Sequence, residues 1–259
     1  MIIVLLAIGG YVGLQKLLPS IRGSHCEMTG DGGATTQLDL EQSANAATIA
    51  GVAMHEGLSE HAVVVAYATA LQESKLYNLS YGDRDSVGLF QQRPSQGWGT
   101  RKKLQDPVYA SKAFFRSLSK VRDYLDMPVA EAAQKVQRSA DGEAYASHEA
   151  DAKIMAAAFT GRRAHAVRCW YPKVDQARTS TAHEVLRTFG AKAHITGSRV
   201  TATTSRTAWA VAAWAVAHAH AFGLQSVAHD GKIWTADDGY SGWTPTENAP
   251  TNPHYVDIK

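Results

Sequence analysis

Glu73 closes an apolar run, AVVVAYATALQES, and a Gly- and Gln-rich stretch, YGDRDSVGLFQQRPSQGWGT, comes shortly after it. Ser59 can serve as N-cap and Glu60 sits in the first turn, where the helix dipole favours an anion. From there Ala62, Ala66, Thr69/Ala70 and Glu73 recur at three- and four-residue steps, so the pattern predicts a helix whose small apolar stripe ends on a carboxyl. A carboxyl against such a surface is poorly hydrated when ionised and so holds its proton. In that state it can donate to the bridging oxygen between two sugars, which is general acid chemistry. The competing reading is that Glu73 is only the exposed last turn of a core helix.

Other patterns set out the elements that must position it. Residues 38–56 carry Ala and Ile at helical spacing and stop at Gly57; residues 59–74 form the next helix. Residues 77–100 lack a period and read as loop. Pro107 opens a helix through Val121, Pro128 another through Gln137, and residues 143–159 a last one ended by Gly161. The composition then changes. Residues 178–190 read as helix, RVTATTS as strand, TAWAVAAWAVAHAHAFG as apolar helix, and SVAHDGKIWTA as a hairpin turning at Asp230-Gly231. The tail with Pro245, Pro250 and Pro253 reads as mostly irregular. The expected fold class is α+β overall: a mainly α domain over 38–162 and a small α+β accessory domain over 165–259.

The chain has 259 residues, 45% of them hydrophobic, and a net charge of +2. That charge is too small to argue for nucleic acid, and no basic run with interleaved aromatics occurs. IIVLLAIGGYVGL is free of charge, and with Leu17 and Leu18 gives a marginal span over residues 1–18. It lacks the basic n-region and small-residue cleavage site of a signal peptide, so a membrane anchor exporting the remainder is favoured over a cleaved signal. Residues 19–37 read as a linker that includes at most a short hairpin. Cys26 and Cys169 have no partner at metal-ligand spacing; they either pair in an oxidising compartment or are two unrelated buried thiols.

ESKLYNL, YGDRDSVGLFQQ and EAAQKVQRS together resemble the three signature blocks of the lysozyme-like lytic transglycosylase superfamily. The GDR segment is similar to goose-type lysozyme, and residues 38–160 to actinobacterial cell-wall hydrolase domains. The resemblance implies a lysozyme-like fold acting on peptidoglycan glycan strands without metal or cofactor. It puts Glu73 on the catalytic acid and Ser74 on the Ser that bonds backbone or substrate. Gly88, Leu89, Phe90 and Gln91 fall on a Gly-Leu-Met-Gln-type turn, with Gly88 admitting the sugar and Gln91 and Gln92 lining the cleft. Asp83 falls on the aspartate that places the attacking water in goose-type lysozymes, or serves the loop's structure. Asp85 has no counterpart and reads as a turn cap.

The chain also departs from the pattern. The family's Ala-Tyr-Asn block is matched only by AAQKVQ, where Gln134 or Gln137 would bond an N-acetyl group. Arg93 stands where goose-type enzymes have a second aspartate, which leans toward lytic transglycosylation over hydrolysis. Tyr81, Trp98 and Tyr145 offer faces for sugar stacking, with ordinary packing as the alternative. The C-terminal unit is faintly similar to zinc D-alanyl-D-alanine carboxypeptidase-like domains, which hold Zn²⁺ with His and Asp. Its helix, however, is preceded by neither residue. His218 and His220 diverge on the helix and His254 stands apart, so no metal site is expected.

Overall fold

A computed structural model of the chain describes residues 23–138, 143–171 and 181–259. The apolar run at 1–18 lies outside them; among the described residues no helix is long and apolar enough to cross a membrane. The architecture is mixed helix and strand. A three-stranded sheet of order β2-β1-β3 is made by β1 (His25–Thr29), β2 (Thr35–Leu38) and β3 (Val167–Trp170). The expected linker is therefore partly a paired hairpin, with Gly32 and Gly33 at positive φ between its strands. Cys26 faces Cys169 across the β1–β3 ladder, and the two form a disulfide.

Helix α1 (Leu40–His55) starts at a capping box. Asp39 Oδ1 accepts from the Gln42 backbone N–H at 2.8 Å, and Gln42 Oε1 from that of Asp39 at 2.9 Å. Helix α2 (Glu60–Ser74) begins on Ser59, whose hydroxyl accepts from the Ala62 N–H. The buried Tyr67 hydroxyl donates to the Ala46 carbonyl at 2.8 Å, fixing α2 on α1. Four further helices come after the loop over 77–100: α3 (Arg101–Leu104), α4 (Pro107–Leu118), α5 (Val129–Gln137) and α6 (Glu143–Ala146). Then comes α7 (Glu149–Phe159). The single helix expected over 143–159 is thus two, broken by a turn at Ser147-His148.

The rest builds a six-stranded antiparallel sheet of order β4-β5-β9-β6-β7-β8. After α8 (Thr181–Phe189), β4 (Ala193–Thr196) and β5 (Arg199–Ala202) form one hairpin. Helix α9 (Ser205–Phe222) leads to a second, β6 (Ser226–His229) and β7 (Lys232–Thr235). The turn between β6 and β7 is Asp230-Gly231, both at positive φ, as that two-residue connection demands. The tail is less irregular than its prolines suggest. Thr244–Pro245 is the edge strand β8, where a missing N–H costs no ladder bond, and Tyr255–Ile258 is β9, inserted between β5 and β6.

Helix α9 is buried on nearly all sides, lying between this sheet and α1. Helix α1 also meets α8 closely: a Cβ on Gly51 would fall 2.4 Å from Thr188 Cγ2. One hydrophobic core therefore runs from Ile49 and Tyr67 through Trp214 to Val227 and Val256. It is continuous across residues 162–165, where the change in composition lies.

Candidate active site

Glu73 is the penultimate residue of α2, and the two residues after the helix are held unusually firmly. Lys75 and Leu76 both take left-handed backbone angles, with φ of 54° and 64°. Such a pair of non-glycine residues costs on the order of 1 kcal/mol or more each and persists only if neighbours enforce it. Here α1 does so: Gln42 Nε2 donates to the Lys75 carbonyl and Asn45 Nδ2 to that of Leu76, both at 2.8 Å. The sharp stop turns the chain away just after Glu73 and leaves its carboxyl at the helix end.

The loop opposite is fastened to three helices. Ser74 Oγ donates to the Leu89 carbonyl at 2.7 Å and back to Ala70 at 3.1 Å, so this buried hydroxyl belongs to the backbone. Val87 and Gln92 bridge each other, closing a tight turn around Gly88. Gly88, at φ 79°, is required for packing: an added Cβ would lie 2.4 Å from the Leu104 carbonyl oxygen. This packing accounts for the glycine whether or not a sugar approaches it. Phe90 stacks on Phe114 with centroids 4.5 Å apart, and its carbonyl accepts from Gln137 Nε2 at 2.8 Å. Buried Gln92 donates to the Ala110 carbonyl at 3.2 Å.

Between helix end and loop lies a cleft of about 250 Å³ lined by Glu73, Gln91, Gln92, Arg93, Gln96, Trp98 and Gln137. The structure thus brings together Glu73, Gln91, Gln92 and Gln137. The cleft is not the dry wall expected from the apolar stripe, because four of the residues that line it are glutamines, three of which give their amide N–H groups to backbone carbonyls. The acid's control is instead a specific contact: Tyr145 Oη donates to Glu73 Oε1 at 2.8 Å. Tyr145, from α6, is 2% exposed, so its ring has no face to offer a sugar and the stacking expectation is corrected. The hydroxyl fixes Oε1 and leaves Oε2 as the oxygen that the tyrosine does not engage. Among the described residues lining the cleft, Glu73 is the one carboxylate.

The remaining candidates lie around this centre. Asp83 is on the outer surface of the loop, its side chain 88% exposed and 3.8 Å from the similarly open Arg84. Tyr81 is likewise exposed, and its carbonyl accepts from Gln91 Nε2 at 3.3 Å. Neither lines the cleft. Gln134 is half-buried one turn before Gln137, and only the latter reaches the lining. Asp85 organises the loop's far arm, accepting from Arg93 Nε at 2.8 Å and from Ser95 N and Oγ at 2.7 and 2.9 Å. The Arg93 guanidinium, aided by Ser95, holds the Asp85 carboxyl well below the usual carboxylate range.

The C-terminal histidines serve the core. His218 Nδ1 donates to the Trp214 carbonyl at 2.9 Å, and its ring stacks between Trp214 and Phe222. Burial pushes its pKa down to about 4. His229 Nδ1 donates to the Tyr255 carbonyl and His254 Nδ1 to that of Ala202, each joining neighbouring strands. Among the described residues no three His, Cys, Asp or Glu side chains gather as metal ligands.

Residues 150–255 match the family model described as VldE, C-terminal domain. The match begins at α7, takes in β3, α9 and most of the six-stranded sheet, and covers fewer than half of the residues. Glu73 and its cleft lie outside it. No curated protein matches the chain.

Proposed function

We propose that this chain cleaves the β-1,4 bond between N-acetylmuramic acid and N-acetylglucosamine in peptidoglycan, with Glu73 as general acid and then general base. One observation carries the proposal: a half-buried carboxyl, gripped on one oxygen by Tyr145, opens into a cleft walled by amide side chains. Gln92 is buried against the Ala110 carbonyl, but amide side chains such as those of Gln91, Gln96 and Gln137 suit the acetamido and hydroxyl groups of sugars, which both donate and accept. The resemblance noted in the sequence supports the same assignment. Ala144-Tyr145 supplies the first two letters of the Ala-Tyr-Asn block that AAQKVQ lacked, and its tyrosine is the one bonded to Glu73.

In the reaction, the Glu73 proton passes to the bridging oxygen as the bond to the anomeric carbon lengthens. Positive charge grows at that carbon, and the muramoyl N-acetyl oxygen is placed by the substrate itself to stabilise it. The Glu73 carboxylate then takes the proton of the muramoyl 6-hydroxyl, whose oxygen closes on the anomeric carbon to give a 1,6-anhydro end. A two-carboxylate glycosidase needs its second acid about 5–10 Å across the scissile bond. The lining offers no such partner, and Asp83 is turned to solvent. These observations favour the lytic transglycosylase outcome over the muramidase one, in which water would take the place of the 6-hydroxyl.

A protein with this role works outside the cytoplasm. The disulfide between Cys26 and Cys169 suits an oxidising compartment. An apolar N-terminal run would tether the chain to the membrane it crosses. The test is to incubate the chain, wild type and Glu73→Gln, with purified peptidoglycan and identify soluble products by mass spectrometry. Anhydro-muropeptides released by the wild type alone support the lyase, and reducing-end products the muramidase. A wild type that binds the wall but releases nothing would instead mark a non-catalytic wall-binding scaffold.

A further inference from the structure

The cleft at Glu73 continues past Trp98. Gln96, Trp98 and Gln137 also wall a second cleft of about 270 Å³, whose other side carries Arg116, Lys120 and Arg138. Arg116 stands on the last turn of α4, Lys120 four residues on, and Arg138 caps α5 directly after Gln137. Cations often sit at helix C-termini simply to oppose the dipole. That, with the Tyr109 ring under the Arg116 guanidinium, accounts for Arg116 and Arg138 singly but not for three cations lining one hollow. Among the described residues none of the three is in an ion pair, whereas Arg93, on the wall of the first cleft, is neutralised by Asp85. The groove is therefore polarised, with an acid at one end and uncompensated positive charge at the other.

We infer that the second cleft is a subsite for a carboxylate carried on the glycan strand, such as the peptide substituent of a muramoyl residue beyond the scissile bond. The inference rests on the function proposed above. A linear polymer with a sugar at Glu73 must pass the shared wall of Gln96, Trp98 and Gln137 and enter this hollow. A neutral strand gains nothing from three cations there. An acidic branch gains charge-assisted hydrogen bonds from exposed cations that line one hollow and, among the described residues, have no ion-pair partner.

The test uses the full chain carrying Glu73→Gln, so that ligands are not turned over, and titration calorimetry with two probes. One is a peptidoglycan tetrasaccharide bearing stem peptides; the other is the neutral tetramer of N-acetylglucosamine. The stem-bearing probe is expected to bind at least ten times more tightly, and salt to erode that margin. Arg116→Gln/Lys120→Gln should cut its affinity about tenfold and leave the neutral probe unchanged. Arg116→Lys/Lys120→Arg, which keeps the charge, should retain it and controls for any loss of folding. Equal losses for both probes would overturn the subsite while leaving glycan binding intact. So would binding of a glycerol-phosphate polymer, sensitive to the same double change, by a protein that shows no preference for the stem-bearing probe. If neither oligosaccharide binds the Glu73→Gln protein with its cations intact, the glycan assignment fails and the subsite with it.

Discussion

Glu73 and His218 are both titratable side chains near the end of a helix, yet their surroundings assign them opposite work. Glu73 is half-buried at the rim of a cleft, held by one hydroxyl and sharing the lining with glutamines. His218 is buried and enclosed between two aromatic rings, and it is bonded to its own helix. A strongly perturbed pKa is found at the second and marks packing; a fixed orientation at the rim of a cleft is found at the first and is what the proposed chemistry needs. Burial alone is thus a poor guide to a reactive group, because desolvation perturbs a core residue as readily as a catalytic one.

The largest expected effect is on the catalytic side of that contrast. Glu73→Gln keeps shape and removes the proton, so release of soluble fragments should fall by roughly 10²–10⁴-fold or more. Thermal unfolding should stay close to that of the wild type. Parallel loss of folding would mean that Glu73 is a structural residue after all. A disulfide closing so long a loop is worth about 5 kcal/mol on the chain-entropy model. Cys26→Ala/Cys169→Ala should accordingly lose stability of that order in denaturant titrations under oxidising conditions, and the wild type should match it once reduced.

The core side has its own signature in pH. His218 has a folded pKa of about 4 against an ordinary 6.5, so the unfolded chain binds its proton first as pH falls. Its contribution is complete above about pH 6.5 and is lost progressively toward pH 4, to a total of about 3 kcal/mol. His218→Phe should flatten that part of the stability profile and leave wall cleavage unaltered. A variant that keeps the slope would move its origin to another group. Between these extremes, Tyr145→Phe removes one bond to a carboxyl, worth about 1.5–3 kcal/mol. Turnover should drop by roughly 10- to 100-fold and the melting temperature by several degrees, with the fold kept because the ring's packing is retained.

Much of the helical framework is legible in the chain because its signals are local. Ser59, Pro107 and Pro128 mark helix starts, and Asp230-Gly231 marks a hairpin. Tyr255–Ile258 is not legible, since a short strand next to prolines becomes a sheet centre only through partners at β5 and β6. The break at Ser147-His148 is likewise hidden within a helix-like composition. At the site, the acid and three of the glutamines can be picked out from their order along the chain. The control of the acid cannot be read there: the apolar stripe suggests desolvation, while the actual partner is 72 residues away in sequence. A tertiary hydrogen bond leaves no periodicity, and only the Ala-Tyr pair at 144–145 hints at it.

The smallest effect is expected where sequence and geometry disagree most. Asp83 sits in the GDR segment that suggested a role in placing water, but its carboxyl is almost wholly exposed and pairs only loosely with Arg84. Surface pairs of this kind contribute little to stability. Asp83→Asn should therefore change both cleavage rate and melting temperature marginally, within about threefold and 0.5 kcal/mol. The same substitution at Asp85 should be worse, since it removes the charge and one of the two oxygens that accept the three bonds shaping the arm with Arg93 and Gln96. If Asp83→Asn instead costs a hundredfold in turnover with binding preserved, the loop must fold inward over the bound strand. Asp83 would then act as a second carboxylate, and the product would be a reducing end rather than an anhydro sugar.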